Sequence, residues 1–432
     1  MLELIDGRDA SAPVHIPRPT PAVSADPAAE VQAIVEDVRL GGDAALLRLT
    51  RRLDGVELTS DRLRIDPATI SKAADLVRPE LIDALEVMIE RLRLTCEHQR
   101  TETWFDRRSD EIVGELVVPF RRVGLYVPGG RAAYPSTVIM AAVPARVAGV
   151  SEVAVCSPPG PRGEIPEPVL AACAVAGITE VYRVGGAQAI AALAYGTETI
   201  RPVEKIVGPG NVYVTLAKRL VHGWVGIDSE AGPTEIAVIA DETADPRVVA
   251  ADLVAQAEHG PLGMHAVITW VPELAERVMT ALELEIARHD RSEDVENALI
   301  EGGRAVLVRD RDHAVETANA LAPEHLQIMC AGALDVLDRV RNAGAVFVGP
   351  YSPTSVGDYV AGTNHVLPSG GTARWDSGLS VADFNKRIYV SGLEPTSLER
   401  LAPHVRALAE AEGLRAHARA VDVRLEPGPH RS

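Results

Sequence analysis

Val31, Ile34, Val35 and Val38 recur at helical spacing, and Gly41-Gly42 closes the run. Asp26-Pro27, just ahead, is a favourable N-cap and first-turn pair. Helical patterning continues to about Arg100, and the stretch 116–127 reads as a strand. Beyond it the rhythm becomes strand, turn, helix. Apolar runs predict strands at 153–156, 180–184, 205–207, 236–240, 265–271, 305–308, 326–329 and 345–348. Helical patterns fall at 187–195, 212–221, 247–258, 273–289 and 334–341. Strands separated by helices imply βαβ units and mostly parallel sheet. Eight or so strands make one large sheet or two smaller ones, and the chain length favours two. Residues 1–25 are proline-rich and patternless and read as an arm. After Ser377 the pattern fades, and a separate C-terminal piece carries a helical stretch near 397–417.

Composition narrows the class. At 432 residues, 47% apolar and 24% charged, the chain is too long for one core and too apolar for disorder. A formal charge of −18 argues against a nucleic-acid partner held through the phosphate backbone. Cys96, Cys156, Cys173 and Cys330 are scattered without a CxxC, which fits reduced thiols and a cytoplasmic setting. The acidic N-terminus lacks the apolar core of a signal peptide. No run reaches the roughly 20 apolar residues a membrane span needs, so no membrane partner is expected.

Three predicted strand ends carry glycine clusters: Val127-Pro128-Gly129-Gly130, Val184-Gly185-Gly186 and Val207-Gly208-Pro209-Gly210-Asn211. Glycine permits close backbone approach to a ligand, and a helix N-terminus offers free N–H groups to an anion. Every βα connection also needs a turn, and no intact G-x-G-x-x-G occurs at these turns, so glycine spacing alone favours plain connections over nucleotide binding. Gln256 and His259 share a helix face and could both reach one cation, though His followed by Gly is also an ordinary helix end. Glu324-His325 precedes an apolar strand; on extended backbone the two side chains point apart and could serve different steps. The polar stretch 351–365 offers Asp358 as an oxygen ligand and His365 as a proton carrier. Gln256, His259, Asp358 and His417 together make a two-nitrogen, two-oxygen set suited to zinc, manganese or cobalt.

These residues lie within long motifs that resemble the histidinol dehydrogenase family. The motifs are VGLYVPGG (123–130), STVIMAAVPARVAG (136–149), VGGAQAIAALAYGT (184–197), KIVGPGNVYVTLAK (205–218) and GIDSEAGPTEIAVIAD (226–241). DLVAQAEHG (252–260), APEHLQ (322–327), VGPYSPTSVGDYVAGTNHVLPSGGTAR (348–374) and AEAEGLRAH (409–417) follow in order. The resemblance implies oxidation of L-histidinol to L-histidine, the last steps of histidine biosynthesis, through an enzyme-held aldehyde with two NAD and one zinc per active site. It implies zinc ligands Gln256, His259, Asp358 and His417, and a catalytic pair Glu324 and His325. It also implies substrate contacts at Thr234 and Glu412, besides His325 and the zinc ligands, and NAD contacts at Tyr126, Gln188 and Asn211. His417 and Glu412 would come from the partner subunit of a homodimer. The implied fold is α/β: two incomplete Rossmann-like domains with mostly parallel sheets, with an N-terminal arm and a C-terminal helical tail intertwined between subunits. On this expectation residues 26–125 and 238–380 form the first domain, 126–237 the second NAD-binding domain, and 381–432 the tail. The stretch Pro159–Pro168, PGPRGEIPEP, reads as an unusually long loop lying away from every matched residue. Three rivals remain on sequence: a nucleotide- or phosphosugar-binding transferase, a relative without catalysis, and a relative acting on another amino alcohol.

Overall fold

The computed structural model describes residues 2–19, 27–130, 132–229 and 232–426. Asp26 of the expected helix cap therefore lies outside the described residues. In chain order the strands are β1 (Glu3–Asp6), β2 (Trp104–Arg107), β3 (Glu111–Pro119), β4 (Arg122–Tyr126) and β5 (Glu152–Ser157). They continue with β6 (Val181–Arg183), β7 (Lys205–Val207), β8 (Gly226–Ile227), β9 (Glu235–Ala240) and β10 (Met264–Thr269). The last are β11 (Gly303–Leu307), β12 (His325–Met329), β13 (Ala345–Val348) and β14 (Asn385–Leu393). The chain divides into two compact units, residues 1–99 with 120–384 and residues 100–119 with 385–432.

The first unit holds two parallel sheets, of order β6-β5-β4-β7-β8 and β1-β11-β10-β9-β12-β13. Both are buried on both faces, as helical crossovers require. In β5, Val153 and Val155 join one core while Ala154 and Cys156 join the other. In β9, Ile236, Val238 and Ala240 face one core and Ala237 and Ile239 the opposite one. This two-residue alternation of an entirely apolar run is how a central strand feeds two helical layers.

Several expectations are corrected. Glu3–Asp6 is not a patternless arm: it pairs in parallel with β11 as an edge strand. Four residues closed off by Gly7 carry too little periodicity to announce a strand. The stop expected at Gly41-Gly42 does hold: the span Pro27–Leu53 is two helices that meet at a kink, with non-helical backbone (φ 53°) at Gly42. The Glu198 carboxylate accepts a 2.7 Å hydrogen bond from the Asp43 N–H and so caps the second half. Val31, Ile34, Val35 and Val38 pack with Ala189, Ile190 and Leu193 over the five-stranded sheet. That helix therefore belongs with the expected NAD-binding domain, not with the six-stranded sheet. An amphipathic stripe shows which face is buried, not which sheet buries it. The stretch 116–127 is two strands: β3 and β4 part at Phe120, whose N–H donates to Phe384 O over 2.9 Å. The helix expected at 334–341 is only Ala333–Leu337.

The second unit is an antiparallel sheet of order β14-β3-β2 with two helices, Pro395–Ala411 and Arg415–Leu425. Strand β14 was not foreseen. Its alternation is blurred because nearly all of it is exposed or half-buried. No helix among the described residues is long and apolar enough to cross a membrane.

Candidate active site

Strands β9 and β12 are parallel neighbours, with His325 opposite Ile236. That register sets Thr234-Glu235 beside Glu324-His325 at the amino edge of the six-stranded sheet. Glu324 Oε2 accepts hydrogen bonds from Thr234 Oγ1 and from the Glu235 N–H, each 2.9 Å. The expectation that Glu324 and His325 point apart does not hold. Glu324 precedes the strand, and its carboxylate turns onto Thr234, bringing Oε2 within 3.5 Å of His325 Nδ1. Burial pushes the Glu324 carboxyl up to about 7, against the downward pull of His325 and of its two hydrogen-bond donors. His325 Nδ1 lies 2.8 Å from the Glu235 carbonyl oxygen, which assigns the proton to Nδ1 and the lone pair to Nε2. Nε2 is buried, has no hydrogen-bond partner among the described residues, and stands 3.8 Å from Asp358 Oδ1.

The helix Pro246–Ala257 ends at the same edge. Gln256 is buried, and its Nε2 donates to Thr234 Oγ1, so the amide oxygen remains to serve a cation. His259 Nδ1 is 3.2 Å from Ala255 O, which puts the ring proton on Nδ1 and leaves the Nε2 lone pair to serve a cation. Asp358 comes from the short helix Thr354–Tyr359, after β13. His365 Nδ1 lies 2.9 Å from Asp358 O, and its ring feels the charges of Asp358, His325 and His259. Burial holds the His365 imidazole below its ordinary range. The first unit thus supplies an amide oxygen, an imidazole nitrogen and a carboxylate, donors that suit a borderline divalent cation. Among the described residues no three His, Cys, Asp or Glu side chains gather closely enough to hold a metal. Glu412 and His417 are in the second unit, and both are exposed.

At the carboxyl edge of the five-stranded sheet lies a cavity of about 940 Å³ lined by Tyr126, Gln188 and Asn211. Tyr126 Oη accepts from the Gly186 N–H over 3.1 Å, and Asn211 Oδ1 caps the helix Val212–Val221. Gly208 has φ 124°, and a Cβ there would stand 2.1 Å from Tyr126 O, so only glycine fits. Asp228 accepts from the Gly208 N–H (2.7 Å) and pairs with the buried Lys218 ammonium, which also donates to Gly208 O (3.1 Å). These turns follow β4, β6 and β7, at the edge where open parallel sheets bind ligands. A second cavity of about 320 Å³ is lined by His259, Tyr134, Ser136 and Tyr359, and shares Ala132 and Ala133 with the first.

A family profile described as histidinol dehydrogenase matches residues 18–425. A histidinol dehydrogenase of Synechococcus sp. is 48% identical over 399 residues, covering 92% of both chains. One of Geobacillus kaustophilus is 47% identical over 396 residues, 91% of this chain and 93% of that one. The crystal structure of histidinol dehydrogenase from Elizabethkingia anophelis superposes with a TM-score of 0.90 at 33% identity, covering 98% of each chain. The chain belongs to the histidinol dehydrogenase family. It is an NAD-dependent dehydrogenase, and histidine biosynthesis is its setting.

In this family member the structure gathers Thr234, Gln256, Glu324, His325 and Asp358 at one sheet edge, with His259 and His365 nearby. It sets Tyr126, Gln188 and Asn211 around the larger cavity. One expectation is overturned: the loop 159–168 does not lie away from the matched residues. Pro159, Gly160, Pro161, Glu164 and Pro166 line the cavity with them. The loop follows β5, which sits between β4 and β6, so its turn opens onto the same edge. Sequence reasoning also missed two side chains. Asp54, just past the span Pro27–Leu53, lines the larger cavity. His265 is fully buried near His259, neither ring nitrogen has a hydrogen-bond partner among the described residues, and burial brings its pKa down to about 4. It lies within the apolar run of β10, where nothing in the pattern marks it out.

Proposed function

We propose that this chain oxidises L-histidinol to L-histidine in two two-electron steps, through a bound aldehyde, with two NAD and one zinc ion per active site. One observation carries the reading: His325, with Nδ1 against the Glu235 carbonyl, turns toward Asp358 an Nε2 that has no hydrogen-bond partner among the described residues, while Thr234 holds Glu324 beside it. In the first step His325 Nε2 takes the hydroxyl proton as hydride leaves the carbinol carbon for NAD. Water then adds to the aldehyde: Glu324 accepts a proton from that water while the His325 imidazolium returns its proton to the aldehyde oxygen, which gives the hydrate and frees Nε2 for the next step. In the second step His325 Nε2 takes a proton from the hydrate as its carbon gives up a second hydride, leaving the carboxyl group. When bound, zinc supplies a template that holds the imidazole and amine of the substrate. Gln256 Oε1, His259 Nε2 and Asp358 hold it from one chain and His417 from the partner in a homodimer. The exposure of His417 and Glu412 supports this reading, as does a first-unit set that stops at three donors. Glu412 would meet the substrate amine. Tyr126, Gln188 and Asn211 hold the dinucleotide.

The test is the purified protein with histidinol, NAD and zinc, followed by NADH absorbance, against a chelated control. Two NADH per histidinol, lost on chelation and restored by zinc, support the reading. One NADH with free aldehyde released, or no dependence on metal, overturns it.

A further inference from the structure

The catalytic account leaves Asp54 unused, yet its surroundings are unusual for a carboxylate. The second helix of the span Pro27–Leu53 ends immediately before it, and Gly55 at φ 69° turns the chain away. A helix C-terminus is the negative end of the dipole and disfavours an anion. Among the described residues its carboxylate accepts one hydrogen bond, a long one of 3.4 Å from Gln188 Nε2. Gln188 lines the same cavity but is 1% exposed, and its Oε1 is sealed from solvent with no partner among the described residues. Burial pushes the Asp54 carboxyl up to about 6. Glu30 and Glu164 line the cavity as well, and no Lys or Arg does among the described residues. A half-buried carboxylate whose one hydrogen bond among the described residues is long thus lines a large cavity with few donors to satisfy it. Such groups are satisfied by a ligand rich in hydroxyls.

The reading of this cavity as the dinucleotide site, on which the inference rests, says which hydroxyls. The cavity meets the cleft beside His259 through Ala132 and Ala133, so the nicotinamide end must lie toward those residues. Asp54 and Glu30 line only the larger cavity. We propose that Asp54 accepts hydrogen bonds from the adenosine ribose diol of the dinucleotide and is the residue that selects NAD over its 2′-phosphorylated form. A carboxylate on the 2′-hydroxyl does this in two ways. It gains a charge-assisted hydrogen bond from the diol, and it repels a phosphate in the same place.

The experiment compares wild type with Asp54→Asn, a nearly isosteric change, using NAD, NADP and the NAD analogue with a 2′-deoxyadenosine ribose. In wild type the deoxy analogue should raise KM about 10- to 100-fold, as loss of one hydrogen bond to a charged group does. Asp54→Asn should raise both the Kd for NAD, titrated by calorimetry without histidinol, and its KM by a similar factor, no longer distinguish the analogue in either measurement, and narrow the NAD-to-NADP ratio of kcat/KM. The KM for histidinol at saturating NAD should stay within about twofold. An analogue that wild type accepts as readily as NAD overturns the assignment, and so does an equal analogue penalty in both proteins. Pro161→Trp, a wedge at the exposed rim of the cavity, separates this from the cavity reading. A KM for NAD raised in Pro161→Trp but not in Asp54→Asn sinks Asp54 alone. No change in either removes the cavity as the dinucleotide site.

Discussion

Thr234 Oγ1 donates a 2.9 Å hydrogen bond to Glu324 Oε2 across the β9–β12 register, joining residues 90 positions apart at the amino edge of the sheet. The same hydroxyl oxygen receives the Gln256 amide. One small side chain therefore orients both a carboxylate suited to proton transfer and an amide suited to cation binding. A hydrogen bond donated to a carboxylate favours its ionised form. Thr234→Val should raise the Glu324 pKa further and move the acid limb of the pH–rate profile for aldehyde oxidation to higher pH. An unmoved limb would detach Thr234 from Glu324 in solution.

The two carboxylate and imidazole roles separate by step. His325→Asn should lower both oxidations by about 10²–10⁴-fold while metal content stays at the wild-type level. Glu324→Gln should slow oxidation of added histidinaldehyde more than oxidation of histidinol. Single-turnover NADH formation from each substrate measures this. An equal loss in both steps would remove Glu324 from water activation.

Much of the parallel architecture was legible in the chain. The strands at 205–207 and 345–348 match their expected bounds, because short β-branched runs between glycine turns have few other solutions. The helix at 212–221 matches too, with Asn211 as its cap. Legibility failed where structure depends on distant partners. Glu3–Asp6 is a strand only because β11 offers an edge. The run 116–127 looks continuous but serves two units. At the site, residue types and motifs singled out Glu324 and Thr234, but only the register of β9 against β12 shows that they touch. The loop 159–168 looked remote because sequence distance hides that β5 lies between β4 and β6.

Shared sites can be tested by subunit mixing. If His417 serves the neighbouring chain, His259→Ala and His417→Ala proteins should each be nearly inactive, and exchanged mixtures should recover part of wild-type activity. In a mixed dimer one site receives its His259 and His417 from the two unaltered halves. No recovery after exchange has been verified by mass spectrometry would place both donors in one chain's own site. Zinc content of the His259→Ala protein should fall as well, read by atomic absorption.

The placement of Glu324 has a cost in stability with a defined pH window. Its carboxyl is raised from 4.5 to about 7 by burial. A raised pKa means that the folded state holds its proton more tightly than the unfolded chain does. The contribution to stability is fully present below pH 4.5 and is lost as pH rises through about 7. Glu324→Gln removes the titration and keeps the shape. Relative to wild type it should be near neutral at pH 4.5 and stabilising above pH 7, by about 1–3 kcal/mol once the weaker amide hydrogen bonds are set against the shift. Denaturant midpoints of both metal-free proteins across pH 4.5–8 give the difference directly. A difference that does not grow with pH would mean that the carboxyl titrates at an ordinary value, and Glu324 would lose its standing as a base poised for neutral pH.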